Sequence, residues 1–154
     1  MFRNILNRLT ADEEDPARLS GAEARIAVAA LLVRVARADN SYHKREKAQI
    51  DAILGRLHDL DPAEAAERRG DAEMIEAEAP DTVRFTRQIK ERIPLEERQT
   101  IIAALWEVAL IDADRDSSED RLIRLTASLL GVNDRDSALA RQRVEEKLRR
   151  SGSA

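Results

Sequence analysis

An all-α fold, with about seven or eight helices in two pseudo-symmetric helical-hairpin halves packed into one domain, is predicted by three features of the sequence. Aromatic residues make up 3% of the chain and Gly only 5 of 154 residues, beside 43% hydrophobic residues. A β-sandwich or barrel would need more aromatic and β-branched residues and more turn glycines. Apolar residues return at three- and four-residue spacing between recognisable helix caps. Finally, one segment of the chain aligns with a later one, without gaps, at an offset of 73 residues.

Residues 1–19 form an N-terminal segment in which Phe2, Ile5, Leu6 and Leu9 suit docking onto the body. They are interrupted by charge and too short for the apolar core of a signal peptide. The domain follows over 20–150. Ser20 and Glu23 make a capping box, the hydroxyl accepting a helical N–H while the glutamate reaches back. The helix so opened runs to about Ala38 and turns Val28, Leu32 and Val35 inward. A second helix fits 43–58, with Ile50, Ile53, Leu54 and Leu57 inside. Asp61, Pro62 and Glu64 then give a capping carboxylate, a first-turn proline and a first-turn acid in order.

Gly70 to Thr82 carries five acids and no basic residue, and Ala79-Pro80 favours an extended bend, so a hinge is expected there, with halves of about 20–69 and 81–150. A short helix at 81–92 presents Val83, Phe85 and Ile89, and Pro94 opens the next, with Ile101, Leu105 and Val108 inward. The helix from Asp116 to Leu130 is expected to bury Leu122, Leu125, Leu129 and Leu130, with Gly131 as its left-handed stop. Asn133 and Asp136 cap a last helix to Arg150, and 151–154 are expected to fray.

In the repeat, Val28 corresponds to Ile101, Leu32 to Leu105, Ile50 to Ile123 and Leu57 to Leu130. Asp39 and Asp112 end the two first helices, each continuing an inward stripe, and Glu46 and Glu119 follow seven residues later. A carboxylate near a helix C-terminus is disfavoured by the macrodipole and by burial, and needs donors, an Arg or a cation. Two readings stay open. The acids either cap tight interhelical corners or bind a divalent cation, and oxygen ligands without Cys or clustered His select Ca²⁺, Mg²⁺ or Mn²⁺. The second corner is the richer, with Asp112, Asp114, Asp116 and Glu119 in eight residues. It is no EF-hand, because Ser117 and Ile123 stand where that loop needs Gly and Glu.

The run Ala38-Asp39-Asn40-Ser41-Tyr42, with Glu46 after it, resembles the signature of the tellurite-resistance TerB family and of the related amino-terminal domain of the DjlA co-chaperones. Ala104 to Ala109, through Asp112 and Glu119 to Leu129-Leu130-Gly131-Val132, resembles that family's second half. The resemblance covers about 20–150. It implies an all-helical fold with acids grouped at corners, a link to tellurite resistance or general stress, and a divalent-metal role for Asp39, Glu46, Asp112 and Glu119. Protein partners, such as members of a membrane-associated stress complex, are implied too. Asn40 and Ala113 replace the family's glycine, and Arg115 its apolar residue.

Several function classes lose ground. Lys and Arg total 26 against 30 Asp and Glu, a net charge of −4, which gives no cationic field for nucleic acid. With no cysteine, thiolate metal sites and thiol redox chemistry are excluded. The longest apolar run, Ile26 to Val33, is far short of the roughly 20 residues that span a bilayer, so no membrane insertion is expected. No phosphate loop, nucleophile elbow, zinc motif or J-domain His-Pro-Asp triplet occurs, and His43 and His58 stand apart. A cytoplasmic, non-enzymatic helical module is the expectation, possessing a cation site or acting as an adaptor without one. Trp106 is expected in the core, and the Arg-rich last helix on a solvated face.

Overall fold

The computed structural model describes residues 21–38, 42–79, 82–111 and 117–151. Seven helices and no strands are found among them: α1 (Gly21–Arg37), α2 (Lys44–His58), α3 (Pro62–Glu78), α4 (Thr82–Arg92), α5 (Leu95–Leu110), α6 (Ser117–Leu129) and α7 (Asp134–Arg150). The expected Ser20 cap, the N-terminal apolar residues and the last three residues lie outside the described residues.

Helix α1 is the centre of the molecule. The stripe Val28, Leu32, Val35 is buried as expected, but so is every residue from Ile26 to Ala36. A helix apolar all round belongs inside a fold, and here α2, α3, α4, α5 and α6 all pack on it. Ala24, Ala27 and Ala30 add little bulk between it and its neighbours.

The caps form where the sequence puts them. Asp61 Oδ1 accepts from Glu64 N at 2.8 Å and Glu64 Oε1 accepts from Asp61 N at 3.0 Å. Asn133 Oδ1 accepts from Asp136 N at 2.8 Å. Gly131 ends α6 at φ 75°, letting Val132 N reach back to Ala127 O at 2.8 Å.

Three expectations are corrected. The acidic stretch from Gly70 is no hinge as far as Glu78; it is the second half of α3. Ala72 and Ile75 extend the buried face begun by Ala65, while Glu73 and Glu76 meet arginines. Val83 is exposed, because α4 buries Phe85, Thr86 and Ile89 and a two-residue step turns the side chain to the far face. Leu125 is exposed for the same reason: the buried face of α6 runs Ile123, Thr126, Ala127, Leu130.

The repeat extends further than its sequence signal. Helices α1, α2 and α3 begin at 21, 44 and 62, and α5, α6 and α7 at 95, 117 and 134, each within one residue of the 73-residue offset. Packing follows the same correspondence. The α1–α3 pair matches α5–α7, and the cross-contact α1–α6 matches α2–α5, around a central α1–α5 contact. Helix α4 has no counterpart among the described residues and packs between the copies on α1 and α6.

Leu125→Gln is expected to change stability by less than about 0.5 kcal/mol in urea unfolding, as an exposed site should. Ile123→Ala, two residues away and fully buried, is expected to cost about 2–5 kcal/mol. Equal losses at the two sites would contradict this helix rotation.

Candidate functional site at the paired corners

The corners lie where α1 passes to α2 and α5 passes to α6. Of the six expected acidic ligands, Asp39, Asp112, Asp114 and Asp116 lie outside the described residues. The other two are Glu46, in the first turn of α2, and Glu119, in the first turn of α6. Both are buried, at 9% and 3% exposure, an uncommon state for glutamate. Both stand at the N-terminal, positive end of a helix dipole. Glu46 Oε2 accepts from His43 N at 3.2 Å, which is the returning half of a capping box. The His43 side chain makes no cap of its own.

The two corners are tied together. Arg45, beside Glu46, donates through Nη2 to Ile111 O at 2.9 Å, across to the end of α5. Among the described residues, no three His, Cys, Asp or Glu converge on a point that could hold a metal ion.

Polar residues that the sequence reading passed over support the first corner from below. Tyr42 donates its hydroxyl to Glu73 Oε2 at 2.5 Å, and Arg37 and Lys47 lie over its ring. Glu73 also takes Arg69 at 3.1 Å, whose Nε reaches Asp51 at 2.6 Å. Arg37 pairs with Glu76 at 2.5 Å. Burial, together with the bond to the Glu73 carboxylate and its charge, pushes the Tyr42 phenol well above its usual value.

Arg34, 8% exposed, joins three elements. Its guanidinium donates to Thr82 Oγ1 at 2.9 Å and to the carbonyl of Ala79, lies 3.5 Å from Glu76 Oε1, and sits over Phe85. It thereby satisfies the open carbonyl end of α3. A lone cation in an apolar run was the signal available for it. At the matching place in the second copy stands Glu107, also buried, paired with Arg56 from α2 and with Lys147 at 3.5 Å. Trp106 is buried as expected; its Nε1 donates to Ser137 Oγ at 3.2 Å and Arg141 covers its ring.

The profile of the family described as "Tellurite resistance protein TerB" matches residues 25–142, from the first turns of α1 into α7. The chain belongs to the TerB family. Neither a curated protein nor a solved structure gives a significant match. The TerB match takes in both corners and all seven helices in whole or part. No helix among the described residues is long and apolar enough to cross a membrane.

Tyr42 is the chain's single tyrosine, so absorbance titration reads it alone. Its ionisation is expected well above the ordinary pH of about 10, and Glu73→Gln is expected to bring it down. A phenol whose folded-state pKa is raised stabilises the fold below the unfolded value, and that contribution is lost as pH climbs past it. A midpoint near 10 in the native chain would refute the half-buried Tyr42–Glu73 bond.

Proposed function

We propose that this TerB-family chain is a non-enzymatic helical module of a stress response, tellurite resistance included, that takes a divalent cation at its paired corners. Asp39, Glu46, Asp112, Asp114, Asp116 and Glu119 would hold Ca²⁺, Mg²⁺ or Mn²⁺, and the cation would stabilise the carboxylate cluster electrostatically. The observation that carries the reading is the burial of Glu46 and Glu119 at matching places in the two copies, with Arg45 linking one corner to the other. An oxygen-only donor set suits hard cations. Protein partners, including those of a membrane-associated complex, would then read a corner that is rigid with the ion and looser without it.

A second reading is favoured by the Glu46–His43 bond. In it the acids only cap the corners, and the chain is a protein-interaction adaptor with no metal.

The two separate in one experiment on chelator-stripped full-length chain. With millimolar Ca²⁺, Mg²⁺ or Mn²⁺, the cation reading expects saturable heat in calorimetric titration and a rise in Tm. Glu46→Gln keeps an oxygen to accept from His43 N but loses the charge, so it should stay folded while the ion response shrinks. Asp112→Asn should shrink it likewise. If Asp112→Asn lowers Tm and the native chain responds to none of the ions, the adaptor reading stands instead.

A further inference from the structure

At the opposite ends of the corner-forming helices lies a cleft of about 440 Å³. It is bounded by the start of α1, the end of α2 and the α4–α5 junction. His58 is twelve residues from Glu46 along α2, about 18 Å at 1.5 Å per residue, so the cleft is separate from the corner acids.

Its walls carry Arg25 from α1, Arg92 from α4 and His58 from α2. Arg68 of α3 stands behind His58, with Nη1 3.4 Å from its Nδ1. Glu97 is the one acid on the lining. Arg25 and Arg92 have neither an ion pair nor a hydrogen bond among the described residues, whereas Arg37, Arg69 and Arg141 elsewhere pair with carboxylates. The Arg92 guanidinium lies against Gly21, its Nη2 3.5 Å from where a Cβ would stand, an ordinary contact distance. The floor is apolar: Val28 and Ile101 are buried, and Leu57 and Ile93 pack half-buried against the core.

Like charges crowd this cleft. Burial, then the charges of Arg68 and Arg25, push His58 down to about 4, so it is neutral at pH 7. The pull of Glu64 and Asp71 on Arg68 opposes only part of that crowding, for burial and Arg25 leave its pKa lowered. An anion within reach of Arg25 would offset its repulsion of Arg68, and charge-assisted bonds from Arg25 and Arg92 on the same lining would be strong. The volume falls within the range of small-molecule sites, which pair an apolar lining with a few placed polar groups.

We propose that this cleft binds a small amphipathic carboxylate, its head between Arg25 and Arg92 and its apolar body on Val28, Leu57, Ile93 and Ile101. The corner reading plays no part in this, and either can fail alone.

The test uses the full chain with octanoate as probe, acetate as the head without the body, and octyl glucoside as the body without the charge. Calorimetry at pH 7 should give saturable one-to-one binding of octanoate, with acetate and octyl glucoside far weaker. In proton NMR the His58 ring signals should move with octanoate while those of His43, at the other end of α2, stay. Arg25→Gln with Arg92→Gln should weaken binding by about tenfold or more, as expected for losing two charge-assisted contacts. Both positions are exposed, so the double variant should fold, and its Tm checks that it does. Absence of saturable binding, octyl glucoside binding as tightly as octanoate, or full affinity in the folded double variant would each overturn the proposal.

Discussion

A helix with no face left for solvent has to be enclosed on every side, and this requirement organises the whole chain. From Ile26 to Ala36 helix α1 offers neighbours only apolar surface and one guanidinium. Five of the described helices close around it, and the area they remove from water is the main driving force for folding. Arg34, the exception in that run, is retained because Thr82, Ala79 and Glu76 supply it with acceptors. A buried cation without them would cost several kcal/mol, so the end of α3 and the start of α4 are held to α1 by an electrostatic need as well as by packing.

Enclosure of α1 also fixes where the functional surfaces can be. Both candidate sites lie at helix ends, since the middle of the bundle is filled by packed side chains. At one end lie the buried glutamates in the first turns of α2 and α6, with the Tyr42–Glu73–Arg69–Asp51 chain of bonds tying α2 to α3 nearby. At the other end lies the arginine-walled cleft. The length of a helix separates Glu46 from the cleft.

Much of this was legible in the sequence, and the parts that were not share a cause. Caps are local, so Asp61, Gly131 and Asn133 announced themselves. The repeat was readable over its first two helices because Val28 and Ile101, or Ile50 and Ile123, kept their character. It faded in the third, where Pro62–Glu78 and Asp134–Arg150 share geometry more than residues. The acidic stretch after Gly70 looked like a linker because its counter-charges, Arg34 and Arg37, lie far back in the chain. Val83 and Leu125 looked like core because leucine and valine are usually buried, whereas helix phase decided otherwise. Of the site, pairing could nominate Glu46 and Glu119, but the Arg45–Ile111 link and the grouping of Arg25, Arg68 and Arg92 depend on tertiary neighbours that no spacing rule contains.

The reversal of charge between Arg34 and Glu107 sets the two copies apart where they meet. Glu107 takes its arginine, Arg56, from the other copy. Were two first copies to associate as twins, each would bring an arginine to the place that Glu107 fills, directly against the partner's Arg56. Such a twin would repel itself at its own seam. The two copies therefore differ in charge sign at a place where they touch, and neither could take the other's position there without losing that pair.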